Sequence, residues 1–313
     1  MTTRAQAMAV YPPPVHPRAL DYPQSILSDL IPDESELTAG VKIVPGRAYG
    51  FFTDTSMCIG CKSCEVACKE WNALPADDVG LTGMSYDNTG ALSATTWRHV
   101  AFIEKIGEPD TGRVTLMRPF QSNWLMMSDV CKHCERAGCL EACPTGALFR
   151  TEFGSVVVQQ DICNGCGYCV PSCPFGVVAT NRVDGKAHKC SLCYDRLKGG
   201  LEPACAKACP TNSIQFGEVS ELQARARRRV DSLHAQGVEN AYLYGAPGEP
   251  GATGGIDSLH AFFLLLDRPE VYNLPAAPAL PSARVFTGLV TGMLTMVSLG
   301  LAAAVVFAAG RKE

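Results

Sequence analysis

No cysteine occurs in the first 57 residues of this 313-residue chain, and none in the last 104. Whatever the cysteines do is confined to the middle, in a chain too long to need disulfide staples. Charge is scarce, at 19% of residues, while 47% are hydrophobic. Disorder needs the opposite balance, low hydrophobicity with high net charge. A positive excess is missing too. The formal net charge of −4 excludes a nucleic-acid binder built on a positive field. The N-terminus has no charged start followed by an apolar stretch, so it does not read as a secretory signal. No pairing of a nucleophile with a general base stands out anywhere. The 29 glycines and 21 prolines favour turns and short elements over long helical bundles.

Against these absences stand sixteen cysteines, all between Cys58 and Cys209, in four groups of four. They are Cys58, Cys61, Cys64 and Cys68; Cys131, Cys134, Cys139 and Cys143; Cys163, Cys166, Cys169 and Cys173; and Cys190, Cys193, Cys205 and Cys209. The first and third groups follow the C-x2-C-x2-C-x3-C spacing of a cubane [4Fe-4S] site. The second widens one gap to four residues and the fourth widens it to eleven. Two-residue gaps let a tight loop deliver three thiolates to one face of a cube. The fourth cysteine is expected to begin a short helix that carries its sulfur to another cube, as in two-cluster ferredoxins. Proline follows the last cysteine in three groups (Pro144, Pro174 and Pro210) and Lys69 in the first. Disulfides rarely show this repeated spacing, and structural zinc prefers paired two-cysteine knuckles. Four iron–sulfur clusters use all sixteen thiols with none left over.

Spacing leaves the exchange of fourth cysteines open between neighbouring groups and a nested scheme. Only 19 residues separate Cys143 from Cys163, with Val156, Val157 and Val158 between them as a candidate hairpin strand. Cys68 and Cys131 are 62 residues apart, which makes nesting attractive. Each oxidised cluster would add two negative charges, taking the chain to roughly −12. Lys62, Lys69, Lys132, Lys186, Lys189 and Lys207 lie near the groups. Most read as solvated side chains, with backbone amides doing more to set potential. His99, His133, His188 and His260 read as packing or hydrogen-bonding residues, His133 and His188 being close enough to ligands to tune potential.

Residues 1–45 read as an extended arm, because Pro12, Pro13, Pro14 and Pro17 forbid a helix. Val100–Ile106 and Arg113–Met117 read as two strands around a turn at 107–112. Trp71 and Trp97 read as packing residues. A helix is expected over 219–236, capped by Ser220, with Leu222, Ala226, Val230 and Leu233 as its apolar stripe. Arg225, Arg227, Arg228 and Arg229 would form its solvated face. The apolar stretch 259–266 is too short to span a bilayer. Residues 285–310 carry no charge and as a helix would run about 39 Å, long enough to cross one. Arg284 before it and Arg311 and Lys312 after it favour a cytoplasmic C-terminus.

Residues 48–217 resemble the four-cluster ferredoxin-type subunits of molybdopterin oxidoreductases. The nearer likeness is to the iron–sulfur (beta) subunit of membrane-bound formate dehydrogenase. The motifs CIGCKSCEVACKEWN (58–72), YDNTGALSATTW (86–97), CKHCERAGCLEACPTGAL (131–148), CNGCGYCVPSCPFGV (163–177) and HKCSLCYDRLKGGLEPACAKACPT (188–211) carry it. YLYG (242–245), LLLDRPEVYNLP (264–275) and the final apolar helix extend it. The resemblance implies an α+β fold with two ferredoxin-like units, one inserted in the other, and a single C-terminal transmembrane helix. The outer unit would comprise 46–125 and 178–218, the inserted unit 126–177, and a helical or loop connector 219–284. The implied ligand sets are nested: Cys58, Cys61 and Cys64 with Cys209; Cys190, Cys193 and Cys205 with Cys68; Cys131, Cys134 and Cys139 with Cys173; and Cys163, Cys166 and Cys169 with Cys143.

The resemblance also implies partners: a molybdenum or tungsten pterin catalytic subunit, a membrane cytochrome b subunit that serves quinone, and the lipid bilayer. No nucleic-acid partner is implied. The chain itself would be non-catalytic. Its cluster domain would lie on the outer face of the cell membrane, exported with a signal-bearing partner. Two readings compete. One is the equivalent subunit of a hydrogenase, polysulfide reductase or dimethyl sulfoxide reductase; the other is a membrane-tethered iron–sulfur redox sensor.

Overall fold

In the computed structural model, residues 41–76, 80, 83, 86–104 and 124–310 are described. The first strand is β1 (Tyr49–Asp54), followed by helix α1 (Ser63–Trp71) and strands β2 (Arg98–Glu104) and β3 (Trp124–Val130). Short elements follow: α2 (Gly138–Glu141), β4 (Leu148–Arg150), β5 (Val156–Val158), α3 (Cys169–Ser172), β6 (Ala179–Thr180) and β7 (Ala187–His188). Next come α4 (Tyr194–Lys198), α5 (Ala204–Lys207), β8 (Ile214–Glu218) and the long helix α6 (Val219–Ala235). The chain closes with β9 (Tyr242–Tyr244), β10 (Ala261–Leu265) and α7 (Pro281–Gly310). The fold is mixed α+β.

A four-stranded sheet in the order β8-β1-β10-β9 organises the protein. Its two inner strands, β1 and β10, run parallel and pair Phe51 with Ala261 and Asp54 with Leu264. Both are buried along their whole length. This explains the unbroken apolar character of 259–266: a strand covered on both faces needs no polar alternation. Residues 219–284 are therefore more than a connector, since they supply β9 and β10 to this sheet. Successive residues of β1 face different cores. Phe51 packs with Phe216, Val100, Val130 and the cysteines Cys64, Cys131, Cys190 and Cys205. Phe52 belongs with Phe262, Phe263 and the α6 residues Leu222, Ala226 and Leu233.

Helix α6 carries the expected apolar stripe, but two details differ. Ser220 lies inside the helix, and its hydroxyl donates to Glu218 Oε1 at 3.1 Å instead of capping. Two of the four arginines turn inward: Arg229 Nε meets the buried Asp54 carboxylate at 2.9 Å, and Arg225 donates to Gln215 at 3.0 Å. Arg227 and Arg228 remain exposed. The partner of β2 is β3, in antiparallel register from Arg98–Val130 to Glu104–Trp124. The expected strand 113–117 and turn 107–112 lie outside the described residues, as do residues 1–40 of the arm and Arg311 and Lys312. The Val156–Val158 strand does pair with Leu148–Arg150 as a hairpin.

The closest approach in the sheet is at Gly50, where an added Cβ would stand 1.8 Å from the His260 carbonyl oxygen. That oxygen already accepts the Phe51 amide at 2.8 Å, so it cannot retreat without breaking the parallel pairing. The variant G50A is expected to cost about 3 kcal/mol, read as a lowered denaturant midpoint of the detergent-solubilised protein.

Helix α7 begins four residues earlier than its uncharged run, at Pro281. It is long and apolar enough to cross a membrane, and none of its most apolar stretch is buried within the chain. Met293, Leu294, Met296, Val297 and Leu299 point into open space. Water disfavours such a surface and a bilayer accepts it, which supports a single-pass membrane protein. The helix is tethered at its start by the Ser282 hydroxyl, which donates to Glu141 at 2.7 Å, and by the Leu280 amide, which donates to Gly254 at 2.9 Å.

Candidate metal centres

Each cysteine group is shaped by one backbone device. The residue just before the second cysteine is left-handed in all four: Gly60 at φ 66°, His133 at 44°, Gly165 at 75° and Leu192 at 58°. A left-handed residue there bends the two-residue loop sharply. Two are glycines, for which this costs little. His133 and Leu192 carry steric strain and are held by burial. At Gly60 the loop is also pressed against Phe102 and Met126, so a Cβ there would have to displace both side chains. The helices start earlier than the spacing suggested. Cys64, Cys139, Cys169 and Cys205 lie at or next to the first helical residue. The fourth cysteine lies a turn further on, and it is that turn which redirects its sulfur. Cys173, before Pro174, is extended at φ −84° and ψ 111°, as a residue before proline should be.

Tertiary packing then gathers thiols from distant groups. Cys58, Cys61, Cys64 and Cys209 line one recess, with Lys62, Ser128 and Ser213 on its walls. Cys131, Cys134, Cys139 and Cys173 line a second, closed by Lys132, Val156 and Val178. Cys68 lies in the electrostatic reach of Cys205, Cys193 and Cys64, and Cys190 in that of Cys68, Cys131, Cys193 and Cys205. Cys169 feels Cys163, Cys166 and Cys143. Helix α1 packs on α5, and α2 on α3, where a Cβ on Gly138 would stand 2.4 Å from the Ser172 carbonyl oxygen. Among the described residues, no three His, Cys, Asp or Glu side chains converge on one metal-ion position. Thiols ranged around a recess suit a polyatomic cluster, whereas a zinc ion needs four sulfurs within about 2.3 Å of one point. The donor set, four soft thiols per site, fits [4Fe-4S].

Burial dominates the chemistry of these thiols. It pushes Cys64, Cys139 and Cys193 up to about 12, and lifts Cys68, Cys134 and Cys190 further. Only metal binding can make such groups thiolates near neutrality. Cys143 goes the other way. Its slight burial is outweighed by the amides of Leu148, Thr145 and Ala147 and by the Thr145 hydroxyl. Amides of Val177 and Phe175 likewise favour the thiolate of Cys173, although burial wins there. These are the amide–sulfur contacts expected of a tuned cluster site. Cys61 and Cys166 are the exposed members.

Several of the nearby charges were misjudged from sequence. Lys132 and Lys189 are not solvated but 1% and 4% exposed. Lys132 pairs with Asp129, while Lys189 donates to the carbonyls of Val156 and Cys190 and to Cys131 Sγ at 3.7 Å. Lys69 donates to the Thr95 carbonyl at 3.0 Å, and Lys186 to that of Gln160 at 2.5 Å. Lys207 is exposed. Sequence reasoning missed Arg98 and Ser128 altogether. Arg98 is buried, its Nη2 3.2 Å from Cys205 Sγ and its Nη1 3.2 Å from Ser128 Oγ, which is in turn 3.2 Å from Cys64 Sγ. The only available signal was a charged residue opening a strand of otherwise buried type.

The histidines behave structurally. His99 bonds Asp87 at 2.8 Å, His260 bonds Glu135 at 2.5 Å, and His188 bonds Asp184 at 2.7 Å. His133 accepts the Val156 amide at 3.1 Å, and burial with Lys189 nearby keeps it neutral. Trp71 is partly exposed, with Arg196 over its ring at 4.2 Å, and Trp97 donates to Ala94 at 2.8 Å.

The family model for a 4Fe-4S dicluster domain matches residues 122–219. The iron–sulfur subunit of nitrate-inducible formate dehydrogenase from Escherichia coli (strain K12) is 41% identical over 234 residues, covering 74% of this chain and 73% of that one. The formate dehydrogenase iron–sulfur subunit of Haemophilus influenzae is 41% identical over 229 residues, or 72% and 68% of the two proteins. The B subunit of anaerobic dimethyl sulfoxide reductase from E. coli is 36% identical over 177 residues, 56% of this protein and 77% of that one. Spacing, thiol convergence and similarity over nearly three quarters of the chain, 74% and 72% against two such subunits, agree: this chain belongs to the family of formate dehydrogenase iron–sulfur subunits.

Proposed function

We propose that this chain is the electron-transfer subunit of a membrane-bound formate dehydrogenase. In this reading it carries electrons from a molybdenum or tungsten pterin subunit to a cytochrome b subunit that reduces quinone. The observation that supports it best is the convergence of thiols from remote groups on shared recesses, Cys58, Cys61 and Cys64 with Cys209, and Cys131, Cys134 and Cys139 with Cys173. The four ligand sets are Cys58, Cys61, Cys64 and Cys209; Cys68, Cys190, Cys193 and Cys205; Cys131, Cys134, Cys139 and Cys173; and Cys143, Cys163, Cys166 and Cys169. When bound, each cluster accepts and releases one electron at a time. The chain does the rest: it aims the thiols, excludes water from the buried sites and fixes their order.

In this scheme the 126–177 unit is inserted in a unit made of 46–125 and 178–218. Exchange joins the Cys58 set to the Cys68 set and the Cys131 set to the Cys143 set, and the contact of Lys189, beside Cys190, with Cys131 supports joining the two pairs into a row with the Cys58 and Cys143 sets at its ends. The exposed Cys61 and Cys166 belong to the two end sets, where electrons must enter and leave. Arg284 at the start of α7 and Arg311 and Lys312 beyond it favour a cytoplasmic C-terminus, with the cluster domain on the outer face. The longer and stronger match, 41% identity over 234 residues against 36% over 177, favours formate dehydrogenase over the dimethyl sulfoxide reductase alternative. The test is anaerobic purification of the native complex. About sixteen iron atoms per chain, with clusters reduced by formate and reoxidised by a quinone analogue, are expected. Isolation without a pterin-bearing partner, or clusters that formate leaves oxidised, would overturn the reading.

A further inference from the structure

Four cations are buried near the cysteines: Arg98, Lys132, Lys189 and Arg196, the last held by the Glu202 carbonyl and the face of Trp71. Lys132 has the Asp129 carboxylate as its partner. Among the described residues, neither Arg98 nor Lys189 pairs with a carboxylate. Arg98 contacts the Ser128 carbonyl and hydroxyl, Cys205 Sγ and the face of Phe51 at 4.7 Å, and its Nε finds no acceptor. Lys189 contacts two carbonyls and Cys131 Sγ. A buried cation without a counter-charge is expensive, several kcal/mol in order of magnitude. Two such cations side by side with thiols indicate that the balancing anion is the loaded cluster site, which carries net negative charge.

Their positions are not equivalent. Arg98 touches Cys205 directly and reaches Cys64 through Ser128, so it stands between the Cys58 set and the Cys68 set. Lys189 precedes Cys190 and contacts Cys131, so it stands between the Cys68 set and the Cys131 set. We propose that Arg98 and Lys189 are fixed positive charges placed at the first two junctions of the relay, each raising the reduction potentials of the two clusters it separates. This rests on the nested ligand sets proposed above. An added electron makes a cluster more negative, so a neighbouring cation stabilises the reduced form more than the oxidised form. The Cys68 cluster, flanked by both cations, receives both effects. The Cys143 cluster, with neither, receives none. The two residues act on the clusters through charge and position; neither is catalytic.

The test is a redox titration of the anaerobically purified complex, followed by electron paramagnetic resonance, in R98Q and K189Q with R98K and K189R as charge-keeping controls. In R98Q, two of the four midpoints are expected to move negative by about a tenfold change in the reduced-to-oxidised ratio, ~59 mV for one electron. In K189Q two move as well. One cluster is shared between the pairs, and one moves in neither variant. The controls stay near the parent values. A fully loaded R98Q or K189Q with unshifted potentials would overturn the proposal. So would equal shifts in R98K and R98Q, which mark a packing effect. Loss of iron in R98Q with full loading in R98K would also overturn it, assigning the cation to assembly. Failure of the ligand scheme looks different: the parent protein itself would fall short of four clusters, or the two variants would share no cluster.

Discussion

Replacing Cys131 and Cys173 by alanine in the same chain is expected to remove no more iron than replacing either one. Both thiols line the same recess although 41 residues and a hairpin lie between them. If they ligate one cluster, the first substitution already empties the site, and the second has nothing further to remove. About four of about sixteen iron atoms should be lost in C131A, in C173A and in the double variant. The pair C131A/C143A, drawn from a single sequence group, should lose about eight, because exchange sends those two sulfurs to different sites. Iron per chain in an anaerobic preparation reads the result. The reverse pattern, with C131A/C173A losing twice what C131A/C143A loses, would replace exchange with ligation inside each sequence group.

Stripping the iron should open residues 131–211 while leaving the central sheet closed. Apart from the loops, this region consists of helices of four or five residues and strands of two or three. None is long enough to persist alone, and two-stranded hairpins of this size are marginal in water. Their packing partners are largely the cysteines themselves, which sit inside both cores. Metal binding in such a region is folding free energy. The β8-β1-β10-β9 sheet and α6 are held instead by Phe52, Phe262, Phe263, Leu222 and Leu233, with no iron in the contact. Hydrogen exchange after anaerobic chelation should therefore show at least a hundredfold loss of protection over 131–211, roughly 3 kcal/mol, and little change in β1, β10 and α6. Uniform loss across both regions would refute this division.

The iron-free chain should also become alkali-sensitive. Burial raises Cys64, on helix α1 and outside the region that opens, to about 12, from an ordinary 9.0. The folded state therefore keeps a proton that the unfolded chain gives up above pH 9. This contribution to stability is complete below the unfolded value and is lost as pH rises toward the folded one. In the loaded protein the thiols are already deprotonated, so the same pH window should leave it much less affected. Unfolding midpoints of both forms at about pH 8 and about pH 10.5 check the difference.

Much of the site could be read from residue order. The four cysteine groups, the proline after three of them and the apolar stripe of α6 are local patterns. The uncharged run of α7 is another, because twenty or more uncharged residues have few places to go except lipid. Other features had no local mark. Glycine hinted at the left-handed turns before Cys61 and Cys166, but nothing in a histidine or a leucine announces the same conformation at His133 and Leu192. The run 259–266 was legible as apolar and too short for a bilayer, but its place as an inner strand depended on β1, about two hundred residues earlier. Arg225 and Arg229 looked like their exposed neighbours Arg227 and Arg228 until Gln215 and Asp54 were brought beneath them.

The chemistry of the chain, soft sulfur ligands for iron and an apolar anchor, is written in residue type and spacing, because a ligand loop and a membrane helix are each built from consecutive residues. Which sulfurs meet, and which cations stand between them, is a matter of packing. Arg98 reaches Cys205 only after β2 and α5 fold together across more than a hundred residues. An ionised side chain in so dry a place is tolerable only beside opposite charge, and that pairing exists nowhere along the linear chain.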